Sequence, residues 1–239
     1  MRPCFSPPSG KLLFKKQAQQ LMSELKRWSV PDLMRQMKLS EEKGNETFHM
    51  IQQWGAKKNQ INSAPALFAY IGEAFKALDA DHLKEEEVAY LNKHLFILSG
   101  LYGLLRANDL IEPYRLEMAQ RGVAPEEQSL YHFWRADVEK NMLKQLTKGE
   151  SLLNLASSEY SDLLQAPKLR SIMYTPHFYE KKNGELKSVS VFSKQARGTM
   201  ARWCAVYNIV QPLDIKSFDE LGYQFSSENS DGNELVFIR

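Results

Sequence analysis

With 239 residues, 43% of them hydrophobic and 25% charged, the chain is long enough for a large core and too ordinary in composition to read as disordered. A formal net charge of +2 does not mark a nucleic-acid partner by itself, and the apolar stretches near 64–71 and 95–105 are too short to span a bilayer. Two cysteines, Cys4 and Cys204, form no CxxC-type pair, and the first residues lack the apolar run of a signal peptide; reduced thiols in a cytoplasmic chain are expected.

In chain order, Phe14, Ala18, Leu21, Met22 and Leu25 predict one face of a helix over 13–28. Pro31 suits the start of a second, short helix. Ser40 is a cap for a third over 40–54. Pro65–Ile71 reads as a short buried strand ending at Gly72. Residues 84–97 predict a helix whose first-turn acids suit its dipole. Leu130, Trp134, Val138, Met142 and Leu146 recur every four positions, which predicts a core-facing helix over 127–146. Ser151–Ala156 follows as a strand. Between 170 and 192 the period changes to two, and Asn183-Gly184 predicts a hairpin between two strands. A helix over 194–209 comes next, and the end reads as strand, polar turn and strand. No Pro/Gly/Ser-rich linker divides the chain. The expectation is a single domain over 1–239, of class α+β, with a mixed sheet surrounded by helices.

Charge is segregated along the chain. Residues 1–40 carry eight Lys/Arg against two acids, and residues 168–202 again carry eight against two. Brought together by the fold, these segments would form a positive face; kept apart, they would be solvated surfaces.

Three motifs concentrate the functional signal. LSGLYGLLR, residues 98–106, holds Ser99, Gly100, Gly103 and Arg106. A helix running into Leu98, a turn through the glycines and a new helix would be a helix–hairpin–helix element, whose outward amides hold phosphate without reading bases. A helix C-cap followed by an ordinary turn fits the same residues. IEPYRLEM, residues 111–118, places Arg115 and Glu117 on one face if it is extended. That pair would either hold a ligand and do acid–base work, or brace the loop as an ion pair. KQARGTMARW, residues 194–203, puts Lys194, Arg197 and Arg202 on the arc opposite Ala196, Met200 and Trp203. Gly198 and Ala201 lie between the cations and leave room for a phosphate backbone. The glycine costs about 1 kcal/mol relative to alanine in a helix, a hint of a packing or binding reason.

His49, His82, His94, His132 and His177 are scattered without ligand spacing, so no metal and no cofactor is expected. NLASSEY, residues 154–160, offers Ser157, Ser158 and Glu159 as either a capping turn or a polar site at a strand end.

Taken together, LSGLYGLLRANDLIEPYRLEM, LYHFW, NLASSEY, KQARGTMARW and GYQF…SDGNELVFIR resemble the YaaA family in order and spacing, over roughly residues 60–239. The resemblance implies a cytoplasmic protein of the hydrogen-peroxide stress response that lowers unincorporated iron. It also implies a bowl-like fold with a helix–hairpin–helix and a basic cleft that binds DNA. By it, Ser99, Gly100 and Gly103 map to the hairpin, and Lys194, Arg197 and Arg202 to a KKARG-type helix in which Gln195 replaces the second lysine. The start departs from the family's strand and SPAKT-like loop, of which Ser6, Pro7 and Lys11 are the counterparts, and Phe75 stands where the family often has tyrosine. DNA is therefore the expected partner, without membrane or obligate protein partner. Its expected phosphate contacts are Lys11, Ser99, Gly100, Gly103, Arg106, Arg115, Lys194, Arg197 and Arg202. The alternative is an enzyme on a nucleotide-like or phosphorylated small molecule, with Glu117 or Glu159 as acid or base.

Overall fold

In a computed structural model the described residues are 12–56 and 63–239, so the expected contact at Lys11 lies outside them. They gather into two compact units. One comprises the described residues up to Ala69 together with Phe96–Met142; the other comprises Tyr70–Leu95 together with Leu143–Arg239.

The first unit begins with helix α1 (Lys15–Leu25), which buries Ala18, Leu21, Met22 and Leu25 on one face as its spacing requires. Helix α2 (Val30–Met37) starts at a capping box: Asp32 N donates to Ser29 Oγ at 3.3 Å, and Ser29 N donates to the Asp32 carboxylate at 3.0 Å. It ends at Lys38, whose φ of 52° is left-handed. Ser40 Oγ then accepts from Lys43 N and opens α3 (Glu41–Gln53). The two helices approach closely at Gly44, where a Cβ would lie 2.8 Å from Met34 Cγ.

The expected strand over 65–71 is mostly a helix. Only β1 (Ala64–Pro65) is extended, pairing antiparallel with β4 (Leu110–Ile111), and α4 (Ala66–Ala69) follows. A short apolar run carries no periodicity to separate the two. The expected helix–hairpin–helix at 98–106 is likewise a β-hairpin. Strands β2 (Phe96–Ser99) and β3 (Gly103–Arg106) pair antiparallel from Phe96↔Arg106 to Ser99↔Gly103. Two helices joined by a three-residue turn do occur in this unit, but as α2 and α3 around Lys38–Ser40. Helix α7 (Leu130–Gln145) buries Leu130, Trp134, Val138 and Met142, as its four-residue repeat predicts.

The second unit is built on a mixed sheet in the order β5 (Leu152–Leu153), β6 (Met173–Lys182), β9 (Glu234–Ile238) and β8 (Gln224–Asp231), with β7 (Glu185–Lys187) on β6. Strands β5 and β9 run parallel to β6. Strands β7 and β8 run antiparallel to their neighbours. Asn183 and Gly184, both at positive φ, make the predicted turn between β6 and β7. β7 is shorter than its sequence suggests, because α10 (Ser190–Val206) begins inside the expected strand. The unit also holds α5 (Glu73–Leu78), α6 (Glu85–His94), α8 (Ser158–Ser161), α9 (Pro167–Arg170) and α10, which packs against β6, α5 and α6. Phe178, Met200, Trp203, Phe218, Tyr223 and Phe237 form the centre of its core. The α+β class with a mixed sheet is as expected. Among the described residues no helix is long and apolar enough to cross a membrane.

Candidate functional site

The glycine turn is interior. Ser99 is 1% exposed, and its Oγ accepts from Tyr102 N at 2.9 Å and bonds the Tyr114 hydroxyl at 2.7 Å. Gly100 O accepts from the buried Trp134 Nε1 at 2.8 Å. A Cβ on Gly100 would sit 2.4 Å from Leu116 O, and one on Gly103 (φ 68°) would sit 2.7 Å from the Trp134 ring. Close packing therefore requires these glycines, and the turn does not present outward amides for a phosphate. Arg106 lies with its guanidinium 4.4 Å from the Phe96 ring centre, and burial lowers its pKa, with Asp109 opposing.

Residues 112–117 belong to no helix or strand and lead into a turn at Met118. Leu116 and Met118 are buried, and Arg115 and Glu117 are exposed on the other face, which is the predicted alternation. The bracing ion pair does not form. Among the described residues neither side chain has an ion-pair or hydrogen-bond partner. Both instead line a half-open hollow of about 420 Å³ with Met37, Lys38, Gln120 and Arg121. Lys38 and Arg121 were not picked out by the sequence. They stand far from Arg115 along the chain or in a loop beyond it, and a left-handed lysine after a helix has no distinctive motif.

On α10 the basic residues divide. Arg202 Nη1 donates to Leu78 O at 3.1 Å and Asp79 O at 2.8 Å, and lies 3.4 Å from the Asp79 carboxylate; Nη2 reaches His82 O at 3.5 Å. It satisfies the carbonyls that end α5, a structural role in place of the phosphate contact expected. Gly198 makes room for α5, not for a ligand: its Cβ would fall 1.8 Å from Ala74 O. Lys194 and Arg197 remain. Lys194 is exposed, and Arg197 is half-buried. Among the described residues neither has a hydrogen-bond or ion-pair partner. Burial alone holds the Arg197 guanidinium below its usual pKa. Glu73 is held by Lys76 at 2.9 Å and accepts from Gln195 at 3.5 Å. Its pKa is lowered first by Lys76, then by Gln195, with a smaller contribution from the charge of Lys194.

Glu159 lies in the first turn of α8, with Ser157 at the N-cap position; the Ser157 carbonyl, not its hydroxyl, accepts the bonds there. Among the described residues no three His, Cys, Asp or Glu side chains gather into a group able to hold a metal ion.

A family model described as peroxide stress protein YaaA matches residues 3–229. A UPF0246 protein of Legionella pneumophila is 39% identical over 239 residues, covering 98% of this chain and 93% of the relative. A UPF0246 protein of Saccharophagus degradans is 38% identical over 222 residues, 92% of this chain and 87% of the relative. One from Clostridium perfringens is 36% identical over 243 residues, 100% of this chain and 94% of the relative.

Proposed function

Because the chain belongs to the peroxide stress protein YaaA family, we propose that it acts in the cytoplasm during peroxide stress by binding DNA through its phosphate backbone. The observation that carries this reading is Arg197, a half-buried cation with no carboxylate partner among the described residues. Desolvating a charge is costly unless a partner compensates it, and an exposed anion placed on this face would do so. Lys194, one turn away on the same helix, adds a second cation. Contacts of this kind position a duplex without reading its sequence. We take any lowering of unincorporated iron to be an indirect consequence; stoichiometric ferrous binding by the purified protein would contradict this.

The test is the double variant Lys194→Ala/Arg197→Ala. Its affinity for duplexes of unrelated sequence should fall uniformly while its circular dichroism and unfolding midpoint stay near those of the parent. Unchanged affinity would remove the basis of the proposal.

A further inference from the structure

The hollow of the first unit has features that backbone binding does not need. Lys38, Arg115 and Arg121 converge on it, and Glu117 stands among them. Among the described residues none of the four side chains makes an ion pair or hydrogen bond. Lys43, whose pKa is raised chiefly by its bond to Glu46, also feels Arg115 as an opposing positive charge. Cations in the hollow thus outnumber the carboxylate of Glu117 three to one, the arrangement of an unfilled anion site. Two arginine forks and an ammonium suit a group with several charged oxygens better than a single carboxylate.

Glu117 sets the second requirement. It repels a bare anion, yet it is a free acceptor for a hydroxyl or amino group carried by the same ligand. Half-buried Met37 supplies an apolar wall. The hollow holds about 420 Å³. That lies within the roughly 300–1,000 Å³ typical of small-molecule clefts.

We propose that this hollow binds a small phosphomonoester that also carries a hydrogen-bond donor, the chemistry shared by nucleotides and sugar phosphates. Lys38, Arg115 and Arg121 hold the phosphoryl oxygens, and Glu117 accepts from the donor. Lys194 and Arg197, which carry the DNA reading, take no part in this site.

Calorimetric titration of the full chain at low salt tests it, with adenosine monophosphate and glucose phosphate as probes and adenosine, glucose and inorganic phosphate as references. At least one phosphomonoester should bind saturably, at least about tenfold tighter than inorganic phosphate, and the stronger of the two probes identifies the source. Arg115→Gln/Arg121→Gln should weaken that binding by about tenfold or more, and Glu117→Ala, which removes the acceptor, should alone erase the preference over inorganic phosphate. All these side chains are exposed, so the fold should survive. The inference is overturned if neither phosphomonoester binds, if inorganic phosphate binds as tightly as both, or if Glu117→Ala leaves the preference intact. Lys194→Ala/Arg197→Ala separates the two readings. Phosphomonoester binding that persists while this variant no longer holds DNA supports both. Parent protein that binds DNA but no phosphomonoester refutes this inference alone, and the reverse refutes the DNA reading alone.

Discussion

Replacing Gly198 by alanine separates packing from binding by the sign of its effect on stability. A methyl group there would lie 1.8 Å from Ala74 O and 2.7 Å from Ala74 C, where ordinary contact begins at 3.4 Å. The obstacle is backbone, so no rotamer relieves it, and α5 and α10 must move apart. Overpacking of this kind costs about 1–3 kcal/mol, and a backbone clash belongs at the upper end. Against this, alanine in place of glycine in a helix contributes about 1 kcal/mol. The net is a loss of about 2 kcal/mol. With a urea slope of about 1–3 kcal/mol/M, the unfolding midpoint should fall by about 1 M at unchanged slope. Were the glycine there to admit a phosphate backbone, the substitution would leave stability unchanged or raise it while weakening DNA binding. A midpoint equal to or above that of the parent would refute the packing assignment.

Arg202→Met should cost about 1–3 kcal/mol by leaving Leu78 O without its donor and removing the contact to the Asp79 carboxylate, lowering the melting temperature by about 3–10 °C while leaving DNA affinity intact. A weakened affinity at unchanged melting temperature would reverse that assignment. Cys204 is 6% exposed, and burial pushes its thiol up to about 12. It should resist a disulfide reagent and hydrogen peroxide until the protein unfolds, and rapid labelling of the native protein at this residue would contradict its burial. His82 bonds the Asp79 carboxylate at 2.7 Å, and that hydrogen bond, followed by the charge of Asp79, raises its pKa above 6.5. A raised value means that the folded state holds the proton more tightly than the unfolded one. Its contribution is therefore complete below pH 6.5 and disappears as pH rises through the folded value. Proton NMR of the ring should give a midpoint above 6.5, and one at or below it would deny the pairing.

The sequence was most legible where one residue type leaves a single local choice. The spacing of Trp134 and its neighbours set α7, Ser40 set the start of α3, and Asn183-Gly184 set the turn after β6. It was least legible over 96–106. Strand β3 buries Gly103, Leu104 and Leu105 in succession, so it shows no alternation, and the apolar run continues directly from α6. Reading the segment as helix turned two packing glycines into a phosphate loop. The same error recurred on α10, because nothing in the sequence marks α5 as the element that fills the space beside Gly198. Glycines announced close approach correctly in both places, but not what approaches. The cations of the hollow come from the end of α2 and from a loop some eighty residues later, and only folding brings them to one place.

Cations on α10 that meet DNA phosphates set the salt dependence of DNA affinity. The logarithm of the binding constant should fall steeply and linearly with the logarithm of salt concentration. Lys194→Ala/Arg197→Ala should flatten that slope by about 2, close to one unit for each phosphate that the variant no longer neutralises. A slope near zero in the parent protein, or one that the double variant leaves unchanged, would mean that these cations meet no phosphates.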